Sequence, residues 1–199
     1  QFDGFSHQMI DDKVYNCRKV DDIATRNGFT AFGMEKVGTL ITRGVLIDVA
    51  ALKGVAVLPD SYPITVEDLQ AALKRQNLTL RPGDAPIINT GWWTNWTKDP
   101  AKFVRVNPGL TTAASEWLAR QDPMLVGMDV APISVTPDPD PKLNNPSHQI
   151  FLVVNGIHLL ENLKLDQLLA SGAQEFALVL QPIKMTGATG STVAPVAMH

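Results

Sequence analysis

A single cysteine, Cys17, stands in a chain of 199 residues, which excludes an internal disulfide and a thiolate metal cluster. Any metal must then be held by nitrogen and oxygen donors, and the expected setting is a reducing, cytoplasmic one. Basic excess is missing as well. Lys and Arg number 17 against 20 Asp and Glu, for a net charge of −3. With no basic stripe, nucleic acid is not an expected partner. No apolar run reaches the length that spans a bilayer, so a membrane is not expected either. Internal repeats and low-complexity tracts are also absent. Methionine is absent from the first position, and the sequence opens inside its most chemical stretch, so it is expected to lack an N-terminal portion. What the chain does have is a hydrophobic share of 45%, enough for one compact domain over residues 1–199.

Short apolar runs of strand character alternate with amphipathic helical windows, the pattern of an α/β domain. Strands are expected over 44–49, 86–89, 124–128, 149–154, 176–180 and 192–198. Thr65 with Asp68 reads as a capping box ahead of a helix carrying Leu69, Ala72 and Leu73 on one face. A second helix is expected over 112–120. Between Pro132 and Pro146 lie five prolines, which predict a long irregular loop acting as a lid or an oligomer contact.

Two stretches carry polar groups suited to metal binding and proton transfer. In Gln1-Phe2-Asp3-Gly4-Phe5-Ser6-His7, an extended segment points Gln1 and Asp3 to the same face, and a break at Gly4 lets His7 swing back toward them. The second stretch runs from Ser147 to Asn162. Here His148 and Glu161 bracket an apolar run and a glycine turn, and a strand–turn–strand path would bring them together. Glu161, in apolar surroundings, needs a cation partner. With 157–161 read as extended, His158 and Glu161 point to opposite faces, which makes His148 the better ligand and His158 a structural or pocket histidine. Trp92, Trp93 and Trp96 fit either a core or interface cluster or the lining of an aromatic pocket. Asp48, Asp84 and Asp129, at strand ends and turns, read as hydrogen-bonding turn residues.

In order and spacing, these stretches resemble the metal-dependent cyclase/hydrolase family that includes bacterial kynurenine formamidase and isatin hydrolase. Gln1 to His7 is similar to the second half of that family's motif His-x-Gly-Thr-His-x-Asp-x-x-x-His. Further matches are Thr42 to Asp48, Gly83-Asp84-Ala85-Pro86, Asn89-Thr90-Gly91-Trp92, Pro108-Gly109-Leu110, Glu116-Trp117-Leu118, Val126 to Asp129, Leu160 to Leu163 and Gly187 to Ser191. The resemblance implies a swivelling β/β/α-type fold, a mixed sheet flanked by helices, acting on a small aromatic substrate. It places Asp3, His148 and Glu161 as metal ligands, with Gln1 where many members have a histidine, and His7 as the catalytic base. Phe5, Trp92 and His158 become the expected substrate pocket. The implied cofactor is a divalent metal, manganese or zinc, with one or two ions left open by Gln1 in place of a histidine, and the implied assembly is a homo-oligomer. The expected reaction is hydrolysis of an amide or lactam-like bond; a lactone hydrolase and an inactive scaffold domain are its rivals.

Overall fold

In the computed structural model, which describes residues 1–199, eight strands form one mixed sheet. In chain order they are β1 (Phe2–Asp3), β2 (Leu40–Asp48), β3 (Ala85–Asn89), β4 (Leu125–Met128), β5 (His158–Leu160), β6 (Glu175–Leu180), β7 (Gly190–Ser191) and β8 (Val196–Met198). Across the sheet the order is β7-β1-β5-β4-β3-β2-β6-β8. The inner four, β5, β4, β3 and β2, run parallel. Antiparallel strands close both sides: β1 pairs with β5 and β7, and β6 pairs with β2 and β8.

The sequence explains this division. β3 and β4 are buried at every position, as expected of short, continuously apolar strands covered on both faces. Along β6, Phe176, Leu178 and Leu180 are buried while Glu175 and Ala177 are exposed, the alternation of a strand with one wet face. The larger core, with Val45, Ile47, Ile88, Val126 and Leu159, also takes Leu69, Ala72 and Leu73 of α1 (Val66–Arg75) and Ala114 and Leu118 of α2 (Thr112–Ala119). The smaller core lies on the opposite face around Phe2, Leu46, Ile87, Leu125, Leu160 and Phe176. There it meets Leu168 and Leu169 of α3 (Asp166–Ser171). The expected capping box is formed: Asp68 N–H donates to Thr65 Oγ1 and Thr65 N–H donates to Asp68 Oδ2, both at 3.3 Å. No helix is long and apolar enough to cross a membrane.

Two expected strands are corrected. Residues 149–154 form no strand; Gln149–Asn155 is a π-helix that continues the helical turn Pro146–His148. Ser147, His148, Phe151 and Leu152 are buried while Val154 and Asn155 are exposed, a stripe of helical rather than alternating period. Pro146 opens the run in the position helices tolerate, and Gly156, at φ 64°, ends it. The β-branched composition pointed the other way, but burial of Phe151 and Leu152 in the larger core decided the outcome. Of residues 192–198 only Val196–Met198 is a strand, because Pro195 offers no N–H to a ladder. The 132–146 segment is irregular as expected, yet its first part is no lid: Ile133, Ser134 and Val135 are buried and pair with Leu110.

Candidate metal centre

The ladder between β1 and β5 sets the geometry. Phe2 lies opposite Leu160 and Asp3 opposite Leu159. Backbone bonds between Gln1 and Glu161, 2.8 and 2.9 Å, carry the pairing one residue further. Since Phe2 and Leu160 face the smaller core, Gln1, Asp3 and Glu161 all project from the other face, at the C-terminal end of a parallel strand. Gln1 turns its amide nitrogen toward Asp3, donating to Oδ1 at 2.7 Å. In this arrangement it orients a carboxylate rather than presenting its own oxygen.

His7 reaches the same place through the turn at Gly4. Its N–H bonds the Gly4 carbonyl at 3.0 Å. A Cβ on Gly4 would lie 2.2 Å from Met34 Cε and 3.1 Å from the Thr189 carbonyl, so a larger residue here would have to displace the Met34 side chain and crowd the Thr189 backbone. His7 Nδ1 is 3.7 Å from Asp3 Oδ1 and 3.4 Å from Thr189 Oγ1. His148 arrives from the helical turn, with Nε2 3.7 Å from Asp3 Oδ2 and 3.4 Å from Glu161 Oε1. One donor atom from each of Asp3, His7 and His148 lies within 4.8 Å of the other two. Glu161 joins through His148 and accepts the Ile133 N–H at 3.1 Å. Ile133 was not legible in the sequence as part of the site, because a backbone donor leaves no side-chain signal.

The electrostatics suit a bound cation. Asp3, His148 and Glu161 are buried, and Asp3 Oδ2 and His148 Nδ1 have no hydrogen-bond partner. Burial, with the Asp3 charge adding to it, pushes the Glu161 carboxyl up to about 8. His148 is pushed down to about 4 by burial, against the pull of Asp3. Two buried carboxylates beside the neutral His148 imidazole are costly unless a positive charge joins them. A divalent cation fits this donor set and would satisfy the unpaired Asp3 oxygen. His7 is the accessible member, its side chain 30% exposed.

Beside this cluster, His158 Nδ1 is 3.0 Å from the Asp3 carbonyl oxygen and its ring stacks on Phe5 at 4.1 Å. His158 and Phe5 line a cavity of about 300 Å³ with Phe32, Leu40 and Lys36. Trp92 does not line it. Its side chain is packed in the larger core, with Nε1 donating to the Phe103 carbonyl at 3.4 Å. A separate cavity of about 290 Å³ is lined by Trp93, Trp96, Asn162 and Lys164. Asp48 caps the helical turn after β2 through the Ala51 N–H, at 2.9 Å. Asp129 accepts from Thr90 N–H and Oγ1–H, at 2.9 and 2.7 Å. Asp84 accepts from the Arg81 N–H and from Arg43, each at 2.7 Å.

Residues 1–134 match the model of the Cyclase family, described as "Putative cyclase", and the chain belongs to that family. His148 and Glu161 lie beyond the matched residues, but the fold likeness reaches them. The crystal structure of a novel cyclase superposes with a TM-score of 0.89 at 30% identity, covering 100% of this chain and 67% of that one. Isatin hydrolase A from Ralstonia solanacearum gives a TM-score of 0.72 at 22% identity, over 98% of this chain and 69% of that one, a likeness of fold. The kynurenine formamidase of Bacillus cereus is 37% identical over 95 residues, 48% of this chain and 42% of that enzyme. The match thus spans less than half the length of that relative.

Proposed function

We propose that this chain is a divalent-metal-dependent hydrolase of an amide or lactam-like C–N bond in a small aromatic substrate. The observation that carries the reading is the meeting of Asp3, His7 and His148 donors within 4.8 Å around an unpaired, buried carboxylate oxygen. Membership in the Cyclase family and likeness to a kynurenine formamidase support the reaction class, and the fold shared with an isatin hydrolase agrees with it. Manganese or zinc suits the mixture of carboxylate oxygen and imidazole nitrogen.

A divalent ion held by Asp3, His148 and Glu161 would supply Lewis acidity, acidifying water and polarising the scissile carbonyl. The chain's own residues do the rest. His7 turns Nδ1 toward Asp3 and Thr189, so Nε2 is the atom available to take a proton from the attacking water and return it to the leaving nitrogen. The stacked Phe5 and His158 rings, inclined by 11°, form one wall of the cavity and favour a flat, apolar substrate. A second reading has its own observation: the proximity of His7 to Asp3 and His148 makes it a further ligand rather than a base.

Turnover of N-formylkynurenine, isatin and a dienelactone by the purified protein, with manganese or zinc added, tests the proposal. Hydrolysis of an amide or lactam is expected. Turnover confined to the lactone moves the function to ester-ring opening. Substoichiometric metal with no turnover of any of the three overturns it in favour of a scaffold.

A further inference from the structure

Metal-binding histidines are normally aimed by a partner on the ring nitrogen that does not face the ion. His148 has none. Its Nδ1 is buried without a hydrogen bond, so the direction of Nε2 depends on the backbone that carries the ring. That backbone is unusually held. Asn145, which precedes the turn, gives it no side-chain cap. Instead the Ser147 N–H donates at 3.1 Å to Oγ of Ser134, at the start of the proline-rich segment that leads into the turn. The Ser134 hydroxyl in turn donates to Ser147 Oγ at 2.8 Å. Ser147 Oγ is 2.8 Å from Ser115 Oγ, and the Ser115 hydroxyl donates to the Thr111 carbonyl at 3.1 Å.

These contacts fix the direction of the whole chain of bonds. Each hydroxyl has one proton. Ser115 spends its proton on Thr111 and Ser134 on Ser147, so Ser147 must donate to Ser115. The sequence Ser134 to Ser147 to Ser115 to Thr111 leaves no donor idle, and all three serines are at most 1% exposed. One end is anchored on α2. The other end is the loop whose Ile133 N–H holds Glu161 and whose carbonyls at Pro132 and Ser134 accept from Asn107 Nδ2, each at 3.0 Å. Gly109 lets this loop lie close, since a Cβ there would be 2.4 Å from the Ser134 carbonyl carbon.

We infer that the buried hydroxyl chain Ser134–Ser147–Ser115 is the positioning device for His148, replacing the missing partner on Nδ1 and tying the histidine to the loop that orients Glu161. The inference rests on the reading of His148 as a metal ligand. None of the three serines is among the donors that meet around Asp3; they act through His148.

A metal-affinity cycle tests it, with cobalt(II) or zinc titrated into the purified protein. Ser147→Ala is expected to weaken binding about 10- to 100-fold and to shift the visible absorption of bound cobalt. In a His148→Ala background the same change is expected to have almost no further effect. Ser115→Ala, one hydrogen bond further along the chain from His148, should show the same pattern at smaller amplitude, and it serves where Ser147→Ala folds poorly. Equal weakening with and without His148 overturns the inference, because the serines then support the fold alone. Unchanged affinity and spectrum in Ser147→Ala, with His148→Ala still impaired, also overturns it. Metal affinity indifferent to His148→Ala instead removes the ligand reading, and the inference with it.

Discussion

Glu161 and His7 hold opposite ends of the electrostatic argument. Glu161 is buried beside Asp3 with its carboxyl raised to about 8, so its charged form needs the cation. Glu161→Gln keeps the volume and the bond from Ile133 but removes the charge, and metal affinity is expected to fall at least tenfold with a smaller effect on stability. Metal analysis and thermal melts on one preparation read both. His7 lies toward solvent and separates base from ligand. If it is the base, His7→Asn keeps the metal while turnover drops by two to four orders of magnitude, about 10²–10⁴-fold, with substrate binding retained. Activity restored by extra manganese or zinc would instead make it a ligand. The period-two spacing of Gln1 and Asp3, and the glycine break before His7, made this half of the site legible from residues alone. That Gln1 donates to Asp3 was not legible, since an amide can turn either end toward its neighbour.

Among the elements, α1 was readable because its start is written locally: Thr65, Asp68 and the apolar stripe lie within one turn of each other. Thr65→Ala is expected to cost about 1 kcal/mol, and so to lower the melting temperature by about 2–4 °C, in urea and thermal unfolding. The site residues on that side of the sheet are untouched, so activity should not change. Residues 149–154 were misread for the opposite reason. Ile150, Val153 and Val154 carry strong strand preference, while the helical outcome depends on Ser147 and Phe151 meeting partners from distant parts of the chain. His148 and Glu161 were still paired correctly, because either path returns the chain to the end of β5.

For the molecule as a whole, Asp129 sets a pH dependence of stability. It is fully buried at the end of β4, and burial raises its carboxyl to about 6 from 3.8. A raised folded-state value means the native protein holds the proton more tightly than the unfolded chain. Its contribution is therefore present in full below about pH 4 and is lost as pH rises through about 6, by about 3 kcal/mol at most. Asp129→Asn, which keeps an oxygen for Thr90, should flatten that fall in denaturant titrations at pH 4, 5, 6 and 7; an unchanged slope would show that other groups cause it. We also propose that the protein self-associates, with Trp96 and Val104, 62% and 73% exposed on adjacent short helices, as the apolar contribution. Sedimentation at micromolar concentration is expected to show an oligomer, and a monomer would sink the idea. The ladder that seats Asp3 against Leu159 has a further consequence, for folding. Asp3 and His7 are separated from His148 and Glu161 by more than two thirds of the chain, so the site comes into being only when β1 docks on β5. An ion bound there is held by the native topology and not by any local segment, and its binding energy adds to the global unfolding free energy, growing by about 1.4 kcal/mol for each tenfold rise in free metal above the dissociation constant.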